Sequence, residues 1–407
     1  MNFQTSIVMT PLRVLVVNPL VPASHLTITK ILSGIVFGKS QLIDLILLVY
    51  ANEIHQAQEI EQELISCAFP CFNTVTITSD LPCITDADVF CFITNFANPN
   101  SLDFENMDSD DQFDTFYLII KVATSLGRQV PVKGPGKTAK KRSTEKWKPI
   151  IVGDGLLVID ILMTVAKTLP PDIFFCATPL RSIAKTVLSD YLKVECYQIN
   201  DAFLWAANDL VFHAEIKRPY ITYDTVSAES SYDWDAVGPE MLESLNLEHI
   251  QFNASWMKRE FIDRIVLSAS NNPYGCIFKS SEMSKTLRAI WKPRCIEGAK
   301  DSYTSLGVIS DGSLGTIKGL PYVLPLIIKK YTLSVNTCFE ETTHLRQEIK
   351  RMNVAAKQNH EKLVRYCKKF LQENVINRAF IPASVSSQSD SNTYSYMDES
   401  EKTGVMD

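Results

Sequence analysis

Five short apolar runs, each of strand length, constrain the first part of this chain most: Arg13–Val17 (RVLVV), Leu45–Tyr50 (LILLVY), Val75–Thr78 (VTIT), Asp88–Thr94 (DVFCFIT) and Ile150–Gly153 (IIVG). Several of them are continuously apolar rather than alternating, which is the pattern of strands buried on both faces of a parallel sheet. Helix-compatible stretches separate them, from about Ala23 to Gly34 and from Glu53 to Cys67, the second ending at Pro70. Strand and helix in alternation predict a doubly wound parallel sheet, a fold whose ligands sit at the carboxyl ends of the strands. A further helix is expected after Gly153, stopping at Pro170-Pro171.

Residues 172–335 mix helices with antiparallel-looking strands such as Ser305–Ser310 and Val323–Ile328. A long helix is expected from Phe339 to Glu373, opened by the capping box Thr337-Cys338-Phe339-Glu340 and striped by Leu345, Ile349, Met352, Ala356, Leu363 and Phe370, an ordinary core-facing stripe. After Pro382 the chain holds Ser, Asp, Asn and Glu with almost nothing to bury, so disorder is expected there. The expected organisation is residues 1–157 as a Rossmann-like domain, 158–380 as an α+β domain and 381–407 as a tail.

With 407 residues, 46% of them hydrophobic, and a net charge of −6, the chain is ordinary globular material with no global attraction to nucleic acid or anionic lipid. No apolar run reaches the roughly 18 residues of a membrane span. The N-terminus lacks a basic segment, and Pro11 and Pro19 interrupt its apolar stretch, so no signal peptide is expected. Ten scattered cysteines suit a reducing compartment, and the cytoplasm is the expected location. Cys67 and Cys71 form a close pair, but without a second pair or histidines at zinc spacing no metal site is expected.

Charge is unevenly spread. Between Lys39 and Lys121 there are 14 Asp or Glu residues and no Lys or Arg. Arg128–Lys148 then carries eight bases and one acid, with the Pro and Gly content of a surface loop. A solvated loop is the simplest reading of 128–148; a nuclear signal or a dock for an acidic partner are the alternatives.

Several segments in order resemble the lactate/malate dehydrogenase family, of the cytosolic malate dehydrogenase type. Ser33-Gly34-Ile35-Val36-Phe37-Gly38 followed by LIDLILL resembles its second-strand passage, and Glu63–Pro70 (ELISCAFP) the end of its next helix. Trp256–Phe261 (WMKREF) and Leu306–Gly312 (LGVISDG) resemble its C-terminal framework. The shortened link from Tyr274-Gly275-Cys276-Ile277 to Ile290-Trp291 is similar to the divergent subgroup called putative malate dehydrogenase 1B, without the extra N-terminal segment that subgroup can carry. The resemblance spans about residues 12–375. It implies NAD as cofactor, a dicarboxylate 2-hydroxy acid as substrate, and a two-fold homodimer or a heterodimer with an active paralogue.

The residues at the positions this resemblance singles out do not suit that chemistry. A dinucleotide needs glycines at the first strand-to-helix turn so that backbone N–H groups can reach the pyrophosphate. Here Asn18 and Val21 stand at the glycine positions, and Pro19 and Pro22 lack an N–H. Val49 replaces the acid that holds the ribose hydroxyls. The later Asn-Pro-Ala-Asn loop, after Gly153, reads Asp154-Gly155-Leu156-Leu157. The loop that would bring two substrate arginines, Asn95–Asp103, has no arginine before Arg128 and is followed by Glu105, Asp108, Asp110, Asp111 and Asp114. Pro179 stands for a third arginine. Arg181 occupies the position of the orienting aspartate and Asn208 that of the histidine base; an amide cannot exchange a proton near neutral pH. His213 is the alternative base, and Arg181 an alternative carboxylate anchor. The sequence therefore predicts a non-catalytic family member with a binding or regulatory role. An NAD-dependent oxidoreductase acting on malate, oxaloacetate or an altered 2-hydroxy acid is the alternative.

Overall fold

The computed structural model describes residues 10–81, 86–100, 110–128, 149–216, 252–295, 301–330, 332–337 and 343–373, with 221, 243 and 246. Most of the expected basic loop 128–148 and the tail 381–407 lie outside the described residues, as does most of the expected capping box at Thr337.

The five apolar runs become β1 (Leu12–Val17), β2 (Ile43–Leu48), β3 (Phe72–Thr78), β4 (Val89–Phe92) and β5 (Ile150–Gly153), followed by β6 (Phe174–Cys176). They form a parallel block in the order β3-β2-β1-β4-β5-β6. Crossovers run through α1 (Pro22–Leu32), α2 (Ile54–Ser66), α3 (Asp110–Arg128) and α4 (Leu156–Val165). The order reverses between β1 and β4, which pair directly, so the strand-end crevice of a doubly wound sheet opens there. Continuous apolarity has the expected cause: β4 and β5 are buried at every position, and β1 and β2 at all but one of six.

The same sheet continues with antiparallel strands β9 (Ser302–Ile309), β10 (Pro321–Ile328), β7 (Ala202–Ala206) and β8 (Phe212–Ile216), with β11 (Leu333–Val335) on β10. Around them lie α5 (Leu180–Leu192), α6 (Glu260–Ser270), α7 (Cys276–Cys295) and α8 (Thr343–Leu371). The class is thus α/β, a Rossmann-like parallel sheet joined to an α+β half. Helix α7 packs along α1, which ties the C-terminal half to the first crossover. The helix after β5 is shorter than expected: it ends at Val165, and Ala166 leaves helical geometry well before Pro170. No helix among the described residues is long and apolar enough to cross a membrane.

By packing, Met1–Glu361 forms one unit and Lys362–Asp407 another. Within the first, Leu345, Ile349, Met352 and Ala356 of α8 join the apolar core. In the second, the end of α8 places Lys369 4.0 Å from Glu373.

Candidate functional site

At the carboxyl end of β1, Asn18 adopts φ 57°, the left-handed conformation that asparagine tolerates better than most residues. Its carbonyl accepts from the Ser24 hydroxyl at 2.7 Å, and its side-chain amide reaches across to the Ile93 carbonyl and the Thr115 hydroxyl, each at 3.4 Å. Val21 caps α1 through its backbone alone, its carbonyl taken by the Ser24 and His25 N–H groups, and its side chain packs on the apolar core. Pro22 fills the first helical position. The first turn of α1 therefore offers few free N–H groups.

Val49 is buried and bonded to the Thr78 carbonyl. Beside it stands a residue that sequence reasoning passed over, Tyr50. Its N–H is accepted by Glu53 at 3.0 Å, and its hydroxyl donates to the Asp114 carbonyl at 2.6 Å, bridging the end of β2 to α3. Burial, then the negative charges of Asp114 and Glu53, push the Tyr50 phenol well above its ordinary value. Lys121 sits 4.3 Å over the Tyr117 ring and 5.8 Å from that of Tyr50.

The ends of β4 and β5 carry the densest polar arrangement. The Asp154 carboxylate accepts from the Thr94 N–H and the Thr94 hydroxyl, both at 2.8 Å, and lies 3.8 Å from the Lys279 ammonium. Lys279, on α7, donates to the Thr94 and Phe96 carbonyls at 2.9 and 2.6 Å. Burial pushes the Asp154 carboxyl above and the Lys279 ammonium below its usual range, and each charge offsets the other's cost. Asp154 Oδ1 is buried without a hydrogen-bond partner.

Lys279 and Asp154 thereby hold the strand-end segment 94–100 in place, and that segment covers α4. The Leu156 N–H donates to Asn100 Oδ1 at 3.0 Å, and the Leu157 N–H to the Pro99 carbonyl at 3.2 Å. Gly155 has a reason to be glycine, since a Cβ there would run into the Pro99 backbone. At Gly153 a Cβ would meet Val158 at 2.8 Å. Asn100 Nδ2 donates to both oxygens of Asp209, at 3.2 and 3.3 Å, and the Tyr274 hydroxyl donates to the same carboxylate. Burial raises the Asp209 carboxyl; its hydrogen bonds pull the other way. Tyr274 holds φ 48°, an uncommon conformation for a bulky residue. A half-open pocket lined by Asn100, Leu156, Leu157, Ala207 and Asn359 has a volume of about 10 Å³, room for at most one water.

Asn208, which precedes Asp209 in the chain, and Arg181 and His213 are engaged with other groups. Asn208 Oδ1 accepts from the Leu210 and Val211 N–H groups at 3.0 and 2.8 Å, so it forms the β7–β8 turn. Arg181 donates to the Thr304 hydroxyl and lies 3.6 Å from Asp201, while Pro179 caps α5. His213 contacts Glu215 at 2.9 Å and the rings of Trp205 and His344 at 5.5 and 5.4 Å. The residues that do converge, Asn100, Asp209, Tyr274 and Lys279, come from different elements and left no local motif to read. No group of three His, Cys, Asp or Glu placed to hold a metal occurs among the described residues. Cys67 is exposed at the end of α2, and Cys71 is buried with its thiol 3.4 Å from the Gly38 carbonyl.

A doubly wound parallel sheet with its crevice between β1 and β4, continued in the same sheet by an antiparallel half, defines a Rossmann-like α/β scaffold. No family model matches the chain. It is 24% identical over 331 residues to the rat cytoplasmic malate dehydrogenase, across 79% of this chain and 88% of that one. To human "Putative malate dehydrogenase 1B" it is 22% identical over 347 residues, 84% of this chain and 61% of that one. Among solved structures, the Trichomonas vaginalis lactate dehydrogenase in complex with NADH and oxamate superposes with a TM-score of 0.64 at 14% identity, covering 88% of this chain and 99% of that one. The Naegleria fowleri malate dehydrogenase gives 0.63 at 13%, covering 87% and 99%. The chain is thus similar to malate dehydrogenases over most of its length and shares the fold of the lactate and malate dehydrogenases.

Proposed function

We propose that this protein is a non-catalytic member of its family, a dehydrogenase scaffold used for binding or regulation. One observation carries the reading: Pro99 and Asn100 occupy the N-terminal amides of α4 at the strand-end crevice, held there by Asp209, Tyr274, Lys279 and Asp154. The Tyr50–Asp114 bridge and the long contacts of Asn18 across to Ile93 and Thr115 close the same crevice elsewhere. These residues do not fit NAD. A pyrophosphate would find Val21 and Pro22 where free N–H groups are needed, and a ribose would find Val49 and Tyr50. Nor is a proton acceptor in place at the position of the family's base, since Asn208 is an amide spent on the β7–β8 turn.

With that reading go a functional division of the chain near residues 157 and 380, a cytoplasmic setting like that named for the rat relative, and assembly as a homodimer or with an active paralogue. Purified full-length protein incubated with NADH and oxaloacetate is expected to show no oxidation above background. Turnover that disappears in His213→Ala would replace this reading with that of an NAD-dependent oxidoreductase.

A further inference from the structure

Strand β3 ends the sheet, and among the described residues no strand pairs with its outer side. Its ladder to β2 fixes which backbone groups are left over. The Thr78 carbonyl accepts from the Val49 N–H at 3.1 Å, and the register pairs Leu45 with Val75 and Leu47 with Ile77. In a parallel ladder the groups of alternate residues point to opposite sides. Thr76 and Thr78 therefore turn theirs to β2, while Val75 and Ile77 present N–H and C=O outward. Thr74 and Thr76 have exposed side chains, and Val75 and Ile77 are half-buried.

Edge strands are normally protected by lysine, proline, inward charge or a bulge along the edge. Phe72–Thr78 (FNTVTIT) has no charged residue and no proline, and its register irregularity lies at the start, between Ile43 and Asp44. Six of these seven residues, all but Asn73, have high β-propensity, and the strand is thus left as a template. The flanking surface has one sign. The chain from Ile43 to Asp80, which builds β2, α2 and β3, contains Asp44, Glu53, Glu59, Glu61, Glu63 and Asp80 and no lysine or arginine. In α2, which packs against β3, only Ala57 and Leu64 are buried, so Glu59 and Glu63 face solvent.

We propose that β3 is a docking edge for an extended, lysine- or arginine-bearing segment of a partner protein, which adds as a strand beside Val75 and Ile77 and sets its cations against the acids of α2. Backbone hydrogen bonds supply the affinity of such an addition, and charge selects the partner. A second copy of this chain is disfavoured at the same edge because it would bring acid against acid. The inference is independent of whether the strand-end crevice binds a dinucleotide.

The test uses the full-length protein and a fluorescent peptide of about eight residues alternating lysine and valine, long enough to span an edge strand. Fluorescence anisotropy is expected to show saturable binding that weakens as salt rises. N-methylation of alternate peptide amides is expected to weaken it about tenfold or more, because it removes the ladder donors. Val75→Pro should do the same while leaving the β2 ladder intact, and Glu59→Lys with Glu63→Lys should weaken binding without affecting the fold. If Val75→Pro fails to fold, the N-methylated peptide reads the same contact. The proposal is overturned if the lysine peptide does not bind, if the N-methylated or a glutamate–valine peptide binds equally, or if the protein self-associates in a way that Val75→Pro abolishes.

Discussion

Two regions of this protein are equally buried and held by different forces. Below the strand ends, Val14, Val16, Leu45, Leu47, Val89 and Cys91 pack as an apolar layer with no directional demand. At the strand ends, Thr94, Asn100, Asp154, Asp209 and Lys279 are comparably inaccessible, yet each is polar and placed by a named hydrogen bond or ion pair. Apolar packing accepts many sequences of similar volume, so the scaffold survives wide divergence. A buried polar cluster accepts very few, because one missing partner leaves a desolvated charge. The lower layer explains why the fold is shared with dehydrogenases at low identity. The upper cluster depends on each of its partners, and on the reading proposed here it stands where a ligand would otherwise bind.

The sharpest way to break this comparison is Lys279→Met. It strands the buried Asp154 carboxylate and should cost about 3–5 kcal/mol in urea unfolding, whereas Asp154→Asn combined with Lys279→Met should recover part of that, because the amide oxygen is uncharged and can still accept from Thr94. A neutral single variant would mean that the pair does not hold segment 94–100. In the apolar layer, Leu47→Ala should cost about 2–5 kcal/mol through the cavity it leaves, with no partner substitution able to restore it by charge. Tyr274→Phe should cost about 1–3 kcal/mol, since it removes one donor from buried Asp209. An unchanged urea midpoint would show that Asn100 alone satisfies that carboxylate.

The smallest expected effect is pH-dependent and lies beside the crevice. His360 bonds Asp160 at 2.7 Å, and that hydrogen bond, opposed by burial and aided by the charge of Asp160, raises the imidazole above its ordinary value. A raised folded value means that this contribution is fully present below about pH 6.5 and is lost as pH rises through the folded value. Wild type should therefore lose more stability than His360→Gln between mildly acidic and alkaline pH. Parallel pH profiles of the urea midpoint would refute the assignment.

Much of the architecture was legible because strand burial writes itself into the sequence as continuous apolar runs; LILLVY and IIVG are β2 and β5 within a residue or two. Helix ends were less legible: α4 stops at Val165 because Ala166 departs from helical geometry, with no proline to announce it. At the site, the replaced positions could be read one by one, but what replaced them could not. Asn208 followed by Asp209 between two strands is itself a turn signal, and the structure uses Asn208 for the turn and Asp209 for the buried cluster. The pairing of Asp154 with Lys279, and of Asn100 with Asp209 and Tyr274, joins distant segments through tertiary packing, and no spacing rule in one sequence encodes it.

Titration of the full-length protein with NADH, followed by nicotinamide fluorescence, tests most directly whether the strand-end cluster has taken the place of the cofactor. A linear signal without saturation into the millimolar range is the predicted result. Saturable binding in the micromolar range would contradict it.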